Sequence, residues 1–587
     1  RVRVRVRLKV KRDIDNGGTM SKQAEKTPEW ISTPPKPGTY RSILKWGAPD
    51  GFKHPSAGFM KEIQQALGLS DADLKRRPDT GDRPVKHDIP CRLSSDDMAA
   101  LAAIVGEQNI STDDYSRVLH SSGKAMEDLI QLRTGRAEHV ADCVVHPRGK
   151  KDVAAIVAHC HQKKIPVRVY GGGSSVTLGL DSVGGGVTLA MGTHMNRVLE
   201  FNETNQTITV EPGVMGPAYE ALLNNAPERF GASHRYTGGH FPQSFEYSSV
   251  GGWVVTLGSG QLSSYYGDAY DLVISQEYVT PVGSFKTLDY PGTATGPKVN
   301  DIMKGSEGCF GVLVGLTMKV FRYMPENTRR FSYMFPDWES AVKAARNISQ
   351  GEFGMPSVLR ISDAEETDVA MNMYGIAGTP ADTFLRFRGM KPDRRCLMLG
   401  QADGEKGFAA NVKKSIGRVC RACGGIYLTT YPASKWFASR FKDPYMREDL
   451  NDIGILIDTL ETSVTWDNLH NVHQGVRKYI KDRARAICMT HCSHFYAQGT
   501  NLYFIFIMPM AGAEEFRTFQ RGIIDAIVEH GGSLSHHHGV GRMMGPKMEH
   551  HLGAEQMEVL RALKRHFDPH NIMNPGGTLG LDGNELA

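Results

Sequence analysis

A glycine-rich turn at residues 169–180, VYGGGSSVTLGL, constrains this chain more than any other segment. It follows an apolar run at 165–170 that predicts a strand. Three consecutive glycines let backbone N–H groups turn towards one point, because no Cβ blocks positive φ angles or a close approach. The turn therefore predicts a nest of amides for a phosphate group; the plainer interpretation is a flexible turn.

Three later segments have the same character: VEPGV at 210–214, SSVGGWVVTLGSG at 248–260 and GSEGCFGVL at 305–313. Repeated Gly/Ser-rich turns at strand ends suit the pyrophosphate of an extended dinucleotide, because each turn offers backbone donors. No GxGxxG follows an early strand, so a Rossmann-type grip is not predicted.

Together these motifs resemble the FAD-binding domain of the vanillyl-alcohol oxidase and p-cresol methylhydroxylase flavoproteins. The segments GHFPQSFEYSSVGGWVVT (239–256), ETSVTWD (461–467) and GGSLSHHHGVG (531–541) are more narrowly similar to the alkyldihydroxyacetonephosphate synthases. That resemblance implies an FAD enzyme of ether-lipid synthesis, which exchanges the acyl group of acyl-dihydroxyacetone phosphate for a long-chain alcohol.

The resemblance implies an α+β fold with a two-subdomain FAD-binding domain and an antiparallel-sheet cap domain covered by helices. Strand and helix patterns along the chain agree with this organisation. The expected boundaries are a disordered or extension segment at 1–37, an N-terminal helical region at 38–136, an FAD-binding domain at 137–325, a cap or substrate domain at 326–530 and a C-terminal region with the histidine motif at 531–587.

The resemblance also implies which residues contact FAD. They are Val169, Tyr170, Gly171, Gly172, Gly173, Ser174, Ser175, Gln243, Ser244, Phe245, Glu246, Tyr247, Ser248, Ser249, Thr256, Leu257, Gly258, Ser259, Glu307, Gly308, Cys309, Phe310, Gly311, Val312 and Leu313. GGGSS carries no histidine where some relatives attach FAD covalently, so a non-covalent FAD is expected. The chain departs from the family with Phe-Pro-Gln-Ser at 241–244 and Glu-Gly-Cys at 307–309.

Four residues are candidates for proton transfer. Tyr503 matches the family's catalytic tyrosine, and His536, His537 and His538 match its histidine motif. Histidine moves protons near neutral pH. If the three histidines lie on a strand, their side chains point to alternate faces, so we expect no metal site. The residues alone leave open which group acts as the base.

Two arginines, Arg360 in PSVLRISD and Arg447 in DPYMREDL, are the predicted substrate-binding residues. An arginine is usually a surface ion pair, whereas two on separate elements could clamp a phosphate or carboxylate. The resemblance assigns phosphate binding to Arg447 and a role in activity to Arg360.

Two other functions fit the same residue types. A flavin dehydrogenase of a 2-hydroxy acid, such as D-lactate or glycolate, would clamp a carboxylate with arginines and take the hydroxyl proton with histidine. A flavin- or lipid-binding protein without catalysis explains the glycine motifs but not Tyr503 together with the arginines and histidines. The sequence favours the synthase and keeps the dehydrogenase as its alternative.

Composition limits the partners and the compartment. Seven Lys/Arg and two Asp among residues 1–19 account for the whole net charge of +5, so no global basic field favours nucleic acid. The nine cysteines have no disulfide-framework spacing, which favours a reducing cytoplasm. GNELA is not a peroxisomal tripeptide. The expected partners are lipid substrates, with a peripheral membrane contact and a homodimer left open.

Overall fold

The computed structural model describes residues 28–582. The predictions for the basic opening segment therefore fall largely outside the described residues. In this range no helix has both the length and the apolar character needed to cross a membrane.

The strands of the described range form four sheets, in the orders β1-β2-β4-β3, β5-β6-β10-β8-β9, β11-β7 and β15-β12-β14-β13-β17-β18-β16. The strands are β1 (Ile110–Ser111), β2 (Cys143–Val145), β3 (Val167–Tyr170), β4 (Val187–Ala190), β5 (Val198–Asn202), β6 (Thr207–Val210), β7 (Tyr236–Thr237), β8 (Val273–Thr280), β9 (Gly283–Lys286), β10 (Val312–Lys319), β11 (Phe321–Arg322), β12 (Arg329–Phe335), β13 (Val358–Ser362), β14 (Cys396–Ala402), β15 (Ile426–Tyr427), β16 (Ile455–Thr465), β17 (Ile487–Cys492) and β18 (Gly499–Pro509).

Helices cover these sheets and connect them. They are α1 (Tyr40–Leu44), α2 (Ala57–Leu67), α3 (Ser95–Val105), α4 (Asp114–Leu119), α5 (Met126–Thr134), α6 (Lys150–Lys163), α7 (Gly216–Asn224), α8 (Ala226–Phe230), α9 (Val250–Val255), α10 (Ser263–Tyr266), α11 (Ala269–Leu272), α12 (Trp338–Ser349), α13 (Ala364–Met373), α14 (Pro380–Phe387), α15 (Lys406–Ala422), α16 (Tyr431–Ser439), α17 (Met446–Asp452), α18 (Leu469–Arg483), α19 (Ala513–Glu529), α20 (Gly541–Met544), α21 (Met548–Leu552) and α22 (Ala554–Phe567).

The first half of the chain builds two small sheets. In the four-stranded sheet β4 runs parallel to both β2 and β3, with α6 as the crossover between β2 and β3. Every pair in the five-stranded sheet is antiparallel. The predicted hairpin is confirmed, since β8 and β9 pair directly across the turn that holds Pro281 and Val282. These sheets are the two subdomains that the resemblance implied.

The second half builds one seven-stranded antiparallel sheet with helices against it. Its helices begin at good N-caps: the side chains of Asp337 and Asp363 accept the first free backbone N–H groups of α12 and α13. Side chains of β12, α12, α15, α18 and α19 share one buried apolar cluster. The long pair at one edge of this sheet, β16 with β18, sets Glu461 opposite Tyr503.

One expected strand boundary needs correction. β3 begins at Val167 rather than at residue 165, because Pro166 donates no hydrogen bond to the neighbouring strand. Tyr503 lies inside β18. The C-terminal region contacts the first half, since Met573 pairs with Val167 at the edge of the four-stranded sheet. The short strand β1 likewise ties the N-terminal helical region to that sheet.

Candidate active site

The turn after β3 is tightly packed. A Cβ added to Gly172 would lie 1.9 Å from the carbonyl oxygen of Tyr247. Gly173 has a φ of +73°, and a Cβ there would lie 2.0 Å from the hydroxyl of Tyr170. Only glycine tolerates such an approach and this backbone conformation. The packing favours the nest and speaks against a merely flexible turn.

A cavity of about 1060 Å³ lies between this turn and the seven-stranded sheet. We call the residues of segments 171–175, 249–259 and 307–313 that line it the glycine-rich wall. We call its lining residues from β13, β16, β17 and β18 the sheet wall. A third part is apolar and is lined by side chains such as Phe59, Val369, Met371, Leu385, Leu399 and Leu428. The cavity thus joins polar backbone turns to a hydrocarbon-like chamber.

Most of the predicted cofactor residues line the cavity. They are Val169, Gly171, Gly172, Gly173, Ser174, Ser175, Gln243, Ser244, Ser249, Thr256, Gly258, Ser259, Glu307, Gly308, Gly311 and Leu313. The others do not line it, and they are Tyr170, Phe245, Glu246, Tyr247, Ser248, Leu257, Cys309, Phe310 and Val312. Several of these are core side chains, so they support the turns from within.

The three histidines lie in a loop, not on a strand, which overturns the alternating-face argument. We call residues 535–541 the histidine loop. The rings of His537 and His538 line the cavity, whereas His536 stands behind them and its Nε2 is 2.7 Å from the hydroxyl of Tyr496. Ring nitrogens of His494, His536 and His537 come within 4.8 Å of one another, but we assign them no metal.

Tyr503 stands beside the histidine loop on the sheet wall. Its hydroxyl donates to the Oγ1 atom of Thr459 at 3.1 Å. Its ring lies 5.8 Å from that of His537, 5.5 Å from that of His538 and 4.8 Å from that of His491, measured between centroids. The structure therefore brings the predicted tyrosine and two of the predicted histidines to one place.

Burial sets the protonation of these groups. It raises the pKa of Tyr503 to about 12, so the phenol keeps its proton at neutral pH. Burial also lowers the pKa of His537 well below its usual range, against the attraction of Glu461, and lowers the pKa of His538. At neutral pH the tyrosine is accordingly a proton donor, and the two histidines are neutral acceptors.

The two predicted arginines differ in what they have to offer. Arg447, in the first turn of α17, is buried and donates one hydrogen bond, from Nη1 to the carbonyl oxygen of Lys124. Its Nε and Nη2 atoms are buried without a partner in residues 28–582. Arg360 on β13 is already paired, with Nη2 2.5 Å from the carboxylate of Glu366 and 3.0 Å from Nδ1 of His491. Both line the cavity, and they differ in that Arg447 has two buried donors without a partner in residues 28–582 whereas Arg360 is held by an ion pair.

Two family models match the chain: the FAD binding domain over residues 141–289 and the C-terminal domain of FAD linked oxidases over residues 324–578. Among curated relatives, alkyldihydroxyacetonephosphate synthase of Dictyostelium discoideum is 29% identical over 508 residues, 83% of this chain and 81% of that protein. The synthase of Trypanosoma brucei brucei is 27% identical over 549 residues, 89% and 88% of the two chains. A glycolate oxidase subunit of Bacillus subtilis is 23% identical over 498 residues, 84% and 98% of the two chains.

Solved structures agree. An alkyldihydroxyacetonephosphate synthase superposes with a TM-score of 0.77 at 25% identity, covering 91% of this chain and 98% of the other. The chain is an FAD-dependent enzyme of the vanillyl-alcohol oxidase and p-cresol methylhydroxylase superfamily. p-Cresol methylhydroxylase itself shares the fold, with a TM-score of 0.60 at 15% identity over 84% and 98% of the two chains. The expected fold, and FAD as the cofactor, are thereby confirmed.

The glycine-rich wall of this FAD enzyme fits its cofactor on structural grounds. The tight glycine turn exposes backbone beside the cavity, as a pyrophosphate requires. Two cavity-lining side-chain atoms, Oγ of Ser259 and Oε1 of Gln261, are buried and have no hydrogen-bond partner in the described part of the chain. Unsatisfied polar atoms at such a place are what a bound polar ligand would satisfy.

Sequence reasoning missed four polar residues of the sheet-wall region. They are Glu366, Asp458, Glu461 and His491, all buried or nearly so. Burial raises the pKa of Asp458 to about 6, and this carboxyl lines the cavity. Glu461 lies within ETSVTWD, so the motif pointed to its segment without giving its role. No sequence motif marked His491, which lies on β17.

Proposed function

We propose that this FAD enzyme exchanges the acyl group of acyl-dihydroxyacetone phosphate for a long-chain alcohol. One observation carries the proposal: Arg447, two of whose buried guanidinium nitrogens have no partner among the described residues, lines the same cavity as the apolar chamber. A phosphate needs charge-assisted donors, and a fatty chain needs apolar walls. The similarity to alkyldihydroxyacetonephosphate synthases of two organisms supports this choice.

The bond changes of this exchange balance without an outside oxidant. The ester bond between carbon 1 and the fatty acid breaks, and the alcohol oxygen forms an ether bond to the same carbon. A proton leaves carbon 1, which the neighbouring carbonyl acidifies, and a proton returns to it. The hydroxyl proton of the alcohol balances the released acid. FAD, when bound, supplies an electron-accepting ring system for this chemistry.

Each polar residue then has a defined task. Arg447 binds the phosphate and thereby fixes the position of carbon 1. His537 or His538, neutral in its buried setting, accepts the proton from carbon 1. Tyr503, protonated because burial raises its pKa to about 12, donates a proton towards a departing or developing oxygen. Arg360, whose charge is balanced by Glu366, offers guanidinium hydrogen-bond donors on the sheet wall.

The membrane contact belongs to the same proposal. Helix α14 buries Leu385 against the cavity, while Phe384 is 53% exposed and Phe387 is 86% exposed. The basic residues Arg386 and Arg388 flank these aromatic rings. Exposed aromatic and basic side chains suit an interfacial helix. We propose that α14 touches a lipid surface from which both fatty substrates enter the cavity.

The remaining proposals concern the state of the protein. All nine cysteines are free, which supports a reducing compartment such as the cytoplasm. A homodimer is proposed on the resemblance alone. A non-covalent FAD is proposed because the glycine-rich turn offers no histidine for attachment. Acid precipitation of the purified protein tests the last point: free flavin in the supernatant is expected, and flavin retained by the chain would contradict it.

Product analysis tests the main proposal. The purified holoprotein is incubated without an electron acceptor, with acyl-dihydroxyacetone phosphate and hexadecanol. Release of fatty acid in equal amount to an alkyl ether product is the expected result. The rival function, a 2-hydroxy acid dehydrogenase, predicts instead that D-lactate or glycolate reduces a dye and that no ether forms. Dye reduction without ether formation would overturn the synthase assignment.

A further inference from the structure

A buried carboxylate on the sheet side holds the first part of the histidine loop. Glu461, on β16, is fully buried. Its Oε2 atom accepts the backbone N–H of His536 at 2.7 Å, and its Oε1 atom accepts those of His537 and His538 at 3.2 and 3.0 Å. The hydroxyl of Ser535 donates to the same Oε1 at 2.6 Å. One side chain therefore takes four donors from four consecutive residues.

A second, half-buried carboxylate holds the last part of the loop from the opposite side. Glu307, in the glycine-rich wall, accepts the backbone N–H of Val540 at 2.6 Å and that of Gly541 at 2.8 Å. A Cβ on the intervening Gly539 would lie 2.7 Å from Oε1 of Glu307, so the loop passes very close to this carboxylate. The loop is thus bound at one end to the seven-stranded sheet and at the other to the cofactor domain.

These contacts decide where the histidine rings stand. A loop has no ladder of its own to satisfy its N–H groups, and buried N–H groups without partners are strongly unfavourable. Here five of them point at two carboxylates. With the backbone held on that side, the rings of His537 and His538 lie on the cavity surface beside Tyr503.

We propose that Glu461 and Glu307 are positioning residues that hold the histidine loop between the two domains, so that its proton-accepting rings face the substrate. The orientation of the rings towards substrate rests on the proposed function, whereas the hydrogen bonds from the loop to the two carboxylates do not. Glu461 does not line the cavity, and the printed hydrogen bonds of the Glu307 carboxylate go to the backbone of the histidine loop. Their task is to fix the register of the loop.

The two carboxylates are not equivalent. Glu461 accepts four donors, and a glutamine in its place would offer one acceptor oxygen and would turn an NH₂ group towards backbone N–H groups. Glu307 accepts two, and burial raises its pKa to about 7. A neutral side chain at 307 is consequently closer to the native state than one at 461. We expect Glu461→Gln to disturb the loop more than Glu307→Gln.

Hydrogen exchange of the FAD-loaded, substrate-free protein tests whether Glu461 and Glu307 hold the histidine loop. In the wild-type protein the amides of 536–538, 540 and 541 are expected to be protected. In Glu461→Gln the amides of 536–538 should exchange at least about tenfold faster while those of 540 and 541 stay protected. Glu307→Gln should instead speed the exchange of 540 and 541, by a smaller factor, and leave 536–538 protected. The matched control is Glu220→Gln, because Glu220 is a buried carboxylate that accepts the backbone N–H of Gly238, a residue outside the histidine loop. It should leave both groups of amides unchanged.

The exchange pattern alone can overturn the proposal. Unchanged protection of 536–538 in a folded Glu461→Gln protein would remove Glu461 from the role, and unchanged protection of 540 and 541 in Glu307→Gln would remove Glu307. If Glu461→Gln does not fold, Glu461→Asp replaces it. Aspartate is one methylene shorter, so its carboxylate should not reach the loop and the amides of 536–538 should again lose protection. Normal protection of these amides in Glu461→Asp would likewise contradict the proposal.

Kinetics separate positioning from a merely structural role. In Glu461→Gln we expect full FAD content, an unchanged KM for acyl-dihydroxyacetone phosphate and a kcat at least about tenfold lower. A normal kcat in a variant whose loop amides have lost protection would show that catalysis does not need the loop to be held by these carboxylates. Failure of the proposed function is distinguishable, because it would appear as an absent ether product in the wild-type protein while the exchange pattern remained.

Discussion

The glycine-rich wall and the sheet wall enclose one cavity by opposite means. The glycine-rich wall is built of turns in which side chains are absent, and at Gly172 even a methyl group would collide with a neighbouring carbonyl. The sheet wall is built of side chains, among them Arg360, His491 and Tyr503, that hold one another through ion pairs and ring contacts. One wall grips through backbone atoms and the other through ionisable groups.

The difference assigns the two walls different tasks. Backbone donors carry no proton that titrates near neutral pH, so the glycine turns of this wall would hold a cofactor in the same way at any physiological pH. The titratable group of this wall is Glu307, whose pKa burial raises to about 7 and which accepts N–H groups of the histidine loop. Groups on the sheet wall have pKa values moved by burial, so they can donate and accept protons at a chosen carbon. Binding should then fail when the first wall is changed, and chemistry should fail when the second is changed.

The largest expected effect comes from Gly172→Ala. The new Cβ would lie 1.9 Å from the Tyr247 carbonyl oxygen, a backbone atom that cannot rotate away. The turn must then move, and we expect the purified variant to retain almost no FAD. The ratio of flavin absorbance to protein absorbance measures this directly.

Gly315→Ala is the matched control for that substitution. Gly315 lies on β10 of the same domain, and a Cβ there meets no atom within 4 Å among the described residues. This variant should keep its flavin. A Gly172→Ala protein with normal FAD content would show that the tight turn is not part of the cofactor grip, and the contrast between the walls would break.

The second effect concerns chemistry without binding. Tyr503→Phe deletes one hydroxyl and little volume. Because the phenol is protonated and donates, we expect normal FAD content and a turnover lower by about a hundredfold or more. Steady-state rates of ether formation give the measurement.

Tyr333→Phe serves as its control, since Tyr333 is a buried tyrosine of the same sheet that lies outside the cavity lining. It should turn over normally. Near-normal turnover of Tyr503→Phe would leave the tyrosine a packing residue, and His537 and His538 would then have to perform proton transfer alone.

The contrast between the walls also explains what the sequence could reveal. A glycine run is a local feature of the sequence, so residues 171–175 alone predicted a tight turn that suits a phosphate group. The alternation of strands and helices predicted both halves of the fold. The sheet wall is assembled from distant segments. Nothing near Glu461 in sequence indicates that it accepts N–H groups from residues 536–538, because that contact depends on strand pairing and on a loop that crosses between domains.

The histidine loop shows the same limit from the other direction. The sequence identified the motif but placed it on a strand, because three adjacent residues give no sign of their backbone conformation. Two remote carboxylates make a loop possible there by accepting its N–H groups. Tyr503 and the histidines could be named from the resemblance, whereas their protonation states required the burial that only the folded chain supplies.

The third effect is on substrate binding. Arg447→Ala removes the guanidinium whose Nε and Nη2 atoms have no partner in the described chain. The loss of a charge-assisted contact in a dry site corresponds to on the order of 2 kcal/mol. That equals about a thirtyfold rise in the KM of the phosphate substrate. The KM of the alcohol should change little.

Arg447→Lys sharpens the test, because it keeps the charge and loses the planar fork. It should fall between the wild-type protein and the alanine variant. Equal losses for both substrates in Arg447→Ala would point instead to a structural arginine that supports α17.

The smallest effect is a pH-dependent loss of stability confined to the sheet wall. Glu366 is buried; although burial opposes its charge, His491 and Arg360 lower its pKa to about 2 from an ordinary 4.5. A depressed pKa means that the folded state favours the carboxylate. The stabilisation is therefore complete above about pH 4.5 and is lost as pH falls towards 2.

At pH 7 Glu366→Gln should lower the melting temperature by a few degrees Celsius, and the gap to the wild-type protein should narrow steadily below about pH 4.5. Glu339→Gln, at an exposed site in the first turn of α12, should show no gap at any pH. A gap of constant size from pH 7 to pH 3 would mean that Glu366 acts through shape and not through charge, and the sheet wall would then be held like the glycine-rich wall, by packing.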